Sequence, residues 1–328
     1  MGRLSRQLPW RGNRSPLSGT APASLAAPTA FSGPVTPEID KELVRRLLAD
    51  QYPNGAALPL RRLTPGGSDH VIYRLGETLS VRLPRGDWAA GQAEKEARWL
   101  PLLAPRLPLP VPEPLFVGRP DHGYPWHWSV ARWLDGTQAI PEALTDPART
   151  ARRLADFLTA LHTLPPAHTL APGPAGQDLG LDVRHAGLPE RDQATRTHIE
   201  ALKDTFPAEA LTALWDSGLH APAWDRPPVW FHGDFHVGNL LMRDGEISAV
   251  IDFGGLGDPA CDLVIAWTLL TPETRPLFRE ALGLDDATWT RGRAWALTTG
   301  LNAHHSYAAT RPDVARATTH QITQALTG

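Results

Sequence analysis

The sequence predicts an α+β protein in two lobes, a small antiparallel sheet lobe followed by a larger, mainly helical one. Three observations carry that expectation. The length of 328 residues suits two units of roughly 150 residues each. Short apolar runs bounded by turn residues crowd residues 60–131, whereas long amphipathic runs dominate after residue 146. Apolar residues make up 42% and charged residues 20% of the chain, enough for a sizeable core.

The elements follow in order. Residues 1–34 are rich in Pro, Ser, Ala and Gly, carry Arg3, Arg6, Arg11 and Arg14, and show no periodicity. Pro22 and Pro28 interrupt the only Ala-rich stretch, which argues against a signal peptide and for a disordered tail or an unused start region. Residues 37–51 read as a helix with Ile39, Leu43, Leu47 and Leu48 on one face and Thr36 as cap. Residues 60–75 read as two short strands joined by Gly66, Gly67 and Ser68. The N–H groups of that turn and the Ser68 hydroxyl suit a phosphate, although a Gly-Gly turn is also common without a ligand. A third strand spans residues 79–83 and contains Arg82. A helix over residues 91–103 places Ala93, Ala97 and Leu100 at helical spacing, with Glu96 the partner best placed for Arg82 and Glu94 on another face.

A Pro-rich connector then leads to strands at residues 115–117 and 126–131. The strongest amphipathic helix covers residues 146–164, with Ala151, Leu154, Ala155, Leu158, Leu161 and His162 on one face. His162 reads as structural. Residues 165–189 form a Pro/Gly-rich loop, and helices follow at residues 191–205 and 208–218, then at 262–270, 272–282, 289–303 and 311–326.

The chemistry concentrates between Phe231 and Asp262. Val229-Trp230-Phe231 is a strand that delivers the chain to His232-Gly233-Asp234. Apolar runs at residues 240–242 and 247–251 flank Asp244-Gly245, a strong hairpin signal because both central positions accept positive φ. The hairpin brings Asn239 and Asp252 together at its open end, with Asp234 one loop upstream. An amide and a carboxylate suit a hard cation such as magnesium. Asp234 is then left to accept the proton of an attacking hydroxyl. A His232-Asp234-His236 zinc site is the competing reading, since alternate residues of an extended segment share a face.

His232-Gly233-Asp234, Gly238-Asn239 and Ile251-Asp252-Phe253-Gly254 resemble the catalytic and metal segments of the aminoglycoside phosphotransferase and choline kinase-like family. Gly257-Asp258-Pro259-Ala260-Cys261-Asp262-Leu263 fits it too. The resemblance implies a bilobal protein-kinase-like fold, with a nucleotide-binding lobe at residues 35–134 and a catalytic and acceptor-binding lobe at residues 135–328. It implies ATP and magnesium as cofactors and a small-molecule hydroxyl as acceptor. Asp234 would be the catalytic base, and Asn239 and Asp252 the magnesium ligands. His232 and Asp262 would hold the catalytic loop in shape. Gly67 and Ser68 would meet the phosphates, and the backbones of Arg132 and Leu134 the adenine.

One position departs from the pattern. The third strand of this fold normally carries a phosphate-binding lysine paired with a glutamate. Here Arg82 stands in its place, opposite Glu96, and the chain's three lysines, Lys41, Lys95 and Lys203, lie elsewhere. Arginine binds phosphate through its planar fork. The rival expectation from the same departure is a catalytically weak nucleotide-binding scaffold.

The net charge of −3 gives no basis for binding nucleic acid or an anionic membrane. The single cysteine, Cys261, fits a reducing cytoplasm, and a monomer or homodimer is expected. The acceptor is an aminoglycoside, a macrolide, an amino sugar or a metabolite alcohol; an antibiotic acceptor would make this a resistance protein. After Thr271 the acids Glu273, Glu280, Asp285, Asp286 and Asp313 are opposed by six arginines, so no acidic trough for a polycation is expected. Trp289, Trp295, Tyr307, His304 and His305 could instead line a more apolar pocket, or equally well serve as helix-packing side chains.

Overall fold

The computed structural model describes residues 38–64, 66–67, 69–170 and 187–328. The tail expected at residues 1–34, Thr36, Ser68 and most of the loop at residues 165–189 lie outside them. No helix among the described residues is long and apolar enough to cross a membrane.

The first helix, α1 (Lys41–Gln51), starts later than expected. Its cap is Asp40, whose Oδ1 accepts from the Leu43 amide at 2.7 Å, rather than Thr36. An aspartate in that position both satisfies an orphan amide and complements the helix dipole. A single turn, α2 (Pro53–Ala56), leads into β1 (Leu60–Arg62), β2 (His70–Leu75) and β3 (Leu79–Pro84). Helix α3 (Gln92–Leu103) intervenes before β4 (Pro114–Gly118) and β5 (Trp128–Arg132). The five strands form an antiparallel sheet in the order β1-β2-β3-β5-β4. Val44, Leu47 and Leu48 of α1 share one core with Val71, Tyr73, Leu75, Val81, Leu83, Trp128 and Val130 of the sheet.

Helix α3 belongs to both lobes. Glu96 reaches β3, while Trp99, Leu100 and Leu103 are buried in the second core. There the Trp99 ring meets Trp230 edge-on at 5.0 Å. The chain leaves the first sheet at Arg132 and enters a second one at β6 (Thr137–Gln138).

The second lobe contains α4 (Pro147–His162), α5 (Ala167–Leu170), α6 (Asp192–Ala201) and α7 (Ala208–His220). It continues with β7 (Val229–Phe231), β8 (Leu240–Arg243), β9 (Glu246–Val250) and β10 (Gly255–Gly257), then α8 (Ile265–Thr268), α9 (Arg275–Leu282), α10 (Asp286–Tyr307) and α11 (Pro312–Thr327). Strands β6, β8 and β9 form one antiparallel sheet, and β7 pairs with β10. Asp244 and Gly245 turn between β8 and β9 with φ of 54° and 78°, as the Asp-Gly signal requires. The helix expected at residues 262–270 starts earlier, as a tighter 3-10 stretch (Pro259–Val264). Asp258 caps it through the Ala260 amide, with Pro259 in the first turn.

The aromatic and histidine residues of α10 do not form one lining. Trp289 to Tyr307 spans about 27 Å of helix. Trp295 is buried under Arg191, Trp289 packs on Trp267, His304 bonds to Thr318, and Tyr307 is exposed.

Candidate active site

The catalytic loop hangs between β7 and β8 and is held from beneath by Asp262. That carboxylate is fully buried and accepts from the His232 amide at 2.9 Å, the Gly233 amide at 2.7 Å and His162 Nε2 at 3.0 Å. Burial would raise the Asp262 carboxyl, but His162, His232 and the Gly233 amide outweigh it and keep it below the usual range. His162 is therefore structural: it holds the Asp262 carboxylate on which the His232-Gly233 backbone rests.

His232 is also fully buried, and both its nitrogens are committed. Nε2 donates to the Ile251 carbonyl at 2.8 Å and Nδ1 accepts from the Asp234 amide at 3.3 Å. Burial pushes its pKa down against the pull of Asp262 and Asp234, in keeping with a neutral ring. A histidine with no free lone pair cannot ligate zinc, so the His232-Asp234-His236 metal reading is excluded. Among the described residues, the His and acidic ligand atoms that do gather within 4.8 Å belong to exposed Asp50, Asp121 and His122, far along the chain from the motif.

Two glycines make this loop sterically feasible. Gly233 sits at φ 84°, in the region that glycine tolerates best. A Cβ on Gly254 would lie 2.1 Å from the His232 carbonyl oxygen, so the Asp252-Phe253-Gly254 segment passes against the His232-Gly233 loop only because residue 254 has no side chain.

Asp234 projects from the loop with its carboxylate exposed. Its Oδ2 is 3.3 Å from His236 Nε2 and accepts from Asn239 Nδ2 at 3.1 Å. His236 is fixed in turn by accepting the Gly238 amide on Nδ1 at 3.0 Å, which places the ring proton on Nε2, facing Asp234. The cleft's burial would raise the Asp234 carboxyl, but His236, His232 and Asn239 outweigh it and hold it at about 2.

Asn239 also donates to the Asp234 carbonyl at 2.9 Å. Its amide nitrogen is thus used, leaving Oδ1 as an oxygen donor. The Asn239 carbonyl takes the Ile251 amide at 3.0 Å, which sets it beside the Asp252 segment. Asp252 has φ 70°, an unfavourable conformation for a non-glycine residue that recurs at functional sites. Burial raises its carboxyl, Glu96 and Asp234 add to the rise, and Arg82 opposes it. The two hard oxygen donors, one of them an electron-rich carboxylate, fit magnesium better than a softer metal.

Arg82 joins the two lobes electrostatically. Its Nη1 is 2.7 Å from Glu96 Oε2 and its Nη2 3.5 Å from Asp252 Oδ1. Burial works against its charge, but Glu96 and Asp252 prevail and keep it protonated. The remaining sequence candidates lie on the sheet. Gly67, in the β1–β2 loop, gives its carbonyl to Arg85 at 3.1 Å. Arg132 ends β5 with its side chain turned to Glu113 at 2.7 Å, and Leu134 follows in the connector to β6. Among the described residues, no hydrogen bond or ion pair joins these three to the Arg82 cluster.

Sequence reasoning missed two residues, Gln92 and Arg191, and gave a third, His236, the role of a metal ligand. Gln92 bonds to Glu96, Phe253 and Asp252; its i,i+4 spacing to Glu96 was the available signal. His236, two residues beyond Asp234, orients the carboxylate. Arg191 lays its guanidinium over Trp295 at 4.6 Å, within electrostatic reach of Asp234, and nothing in the sequence marks it.

Comparisons with known proteins identify the family. A curated aminoglycoside 3'-phosphotransferase from Escherichia coli is 30% identical over 133 residues, covering 39% of this chain and 46% of that protein. The match thus spans less than half of the relative. Among solved structures, a GDP and kanamycin complex of APH(2'')-IIIa superposes with a TM-score of 0.66 at 20% identity, covering 87% of this chain and 98% of that one. A macrolide 2'-phosphotransferase from Brachybacterium faecium gives 0.55 at 21% identity, covering 86% and 97%. At these identities the likeness is one of fold. The phosphotransferase enzyme family (APH) matches residues 60–295, a span that covers most of the chain and contains the site described above, and the chain belongs to that family.

Proposed function

We propose that this chain transfers the γ-phosphoryl group of a nucleoside triphosphate to a hydroxyl of a small molecule. The observation that supports this most is the exposed Asp234 carboxylate, aimed by His236 and Asn239 and backed by the Asp262 scaffold. The acceptor oxygen bonds to the γ-phosphorus as the bond to the bridging oxygen of the leaving diphosphate breaks, and Asp234 receives the hydroxyl proton. With its carboxyl held at about 2, Asp234 is a weak base. It orients the hydroxyl first and takes the proton late, once bonding to phosphorus has made that oxygen acidic.

Arg82, braced by Glu96, takes the place of the usual phosphate-binding lysine, which weighs against the scaffold alternative. Asn239 Oδ1 and Asp252 would hold magnesium, which when bound neutralises the charge of the phosphates.

The acceptor we favour carries few charges. After Thr271, Asp285 caps α10, Asp286 pairs with Arg279, and Asp313 pairs with Arg311. Asp258, nearer the site, is 2.8 Å from Arg291. These acids are engaged in structure, while Arg191 adds positive charge near Asp234. A polycation would meet repulsion where it needs pairing, so a macrolide-like or neutral sugar hydroxyl ranks above an aminoglycoside.

The test is turnover and thermal shift with Mg-ATP and Mg-GTP against aminoglycosides, macrolides, amino sugars, choline and homoserine. Transfer to a weakly charged acceptor is expected, and Asp234→Ala should lower kcat ~10²-fold or more with nucleotide affinity retained. Near-wild-type turnover in that variant would refute the role of Asp234. Exclusive transfer to aminoglycosides would refute the acceptor class.

A further inference from the structure

We infer that Gln92 is a positioning residue that ties α3 to the Asp252-Phe253 segment, so that the cation-binding face of Asp252 is set before nucleotide arrives. Gln92 opens α3 in the first lobe, and Phe253 lies in the second. Its Nε2 is 2.9 Å from Glu96 Oε1, 3.1 Å from the Phe253 carbonyl and 3.4 Å from Asp252 Oδ1. All three partners can only accept, so the amide nitrogen must face them. Its two hydrogens serve the two shorter contacts best, with Asp252 sharing one of them.

The division of labour around it is specific. Glu96 gives Oε2 to Arg82 and Oε1 to Gln92. Asp252 presents Oδ1 to Arg82 and Gln92, which leaves Oδ2 as the oxygen for a cation. Two carboxylates face one guanidinium here, so the cluster carries a net charge of minus one. The residue type at position 92 then matters. A carboxylate there would repel Glu96 and Asp252, and an ammonium would neutralise Asp252 and compete with a divalent cation. A neutral amide holds both acids in place and leaves their charge available. An interaction spanning 161 residues of sequence also makes the position of α3 dependent on that of the metal segment. This role rests on the phosphotransfer reading.

The experiment uses the full chain and compares wild type with Gln92→Met, which keeps the shape and removes the donors, and Gln92→Lys, which adds charge. ATP binding is measured by calorimetry without magnesium and across a magnesium titration, beside melting temperatures. In Gln92→Met the metal-free ATP affinity is expected to stay within about twofold of wild type, while the magnesium needed for half-maximal tightening rises ~10-fold or more in both variants. A side chain that merely stabilised α3 would lower the melting temperature and leave the magnesium dependence alone. A magnesium dependence within about twofold of wild type in Gln92→Met, at any melting temperature, overturns the inference. Wild-type protein that binds no nucleotide with or without magnesium overturns the phosphotransfer reading, and the role of Gln92 with it.

Discussion

Replacing Arg82 by alanine tests the departure that sets this chain apart from the usual pattern. Glu96 is 3% exposed and Arg82 14% exposed at a separation of 2.7 Å, so removal of the arginine strands a buried carboxylate. Breaking a buried pair from one side costs about 3–5 kcal/mol. Asp252, at 3.5 Å and 37% exposed, adds little because water screens it. At roughly 2 °C per kcal/mol for a chain of this size, the melting temperature should fall by about 6–10 °C. Arg82→Lys restores one charge opposite Glu96 and should recover much of that loss. The double variant Arg82→Ala with Glu96→Ala should melt above Arg82→Ala alone, because it removes the stranded charge. The assay is thermal unfolding of the four proteins, paired with the KM for Mg-ATP. An Arg82→Ala protein melting within about 2 °C of wild type, with an unchanged KM, would refute the buried-pair reasoning and the phosphate role together.

Two further outcomes follow from the catalytic loop. Asp262→Asn must turn an amide NH2 toward the backbone amides of His232 or Gly233 or toward His162, setting donor against donor. A loss of about 3 kcal/mol and a large fall in kcat are expected, and melting together with turnover of this variant checks both. The Asp234 carboxyl, held at about 2 in the fold against about 3.9 in an unfolded chain, contributes stability that is fully present above the unfolded value and lost as pH falls toward the folded one. The stability advantage of wild type over Asp234→Asn should therefore shrink below about pH 4, and, because Asp234 also raises the pKa of His236, it should decline as pH rises above the ordinary histidine range. An advantage that vanishes by about pH 6 would contradict the low pKa.

Features confined to one element could be read in advance. The Asp244-Gly245 turn, the amphipathic face of α4 and the strand of Arg82 each depend on local backbone preference and on a period of two or 3.6 residues, and the structure has each of them. The start of α1 was missed because a polar residue several positions upstream looked like an equally good cap; the choice of Asp40 depends on where the apolar face meets the sheet. The α10 aromatics left two readings open, pocket lining or helix packing, and Trp289 and Trp295 took the second. Side chains near one another in sequence can point to different sides of a long helix.

The sequence by itself determined the family and most of the strands and helices, and it singled out Asp234, Asn239 and Asp252 as candidates, because motif spacing and apolar periodicity are properties of the chain. Only the tertiary structure decided what holds those acids in position. Asp262 meets His162 across 100 residues, Gln92 meets Phe253 across 161, and Arg191 on its short turn finds Trp295 on α10. Such contacts require groups from separate elements to approach within about 3 Å for a hydrogen bond or stacking distance for a ring. The packing of the two cores around α3 sets those approaches, and no periodicity along the chain encodes them.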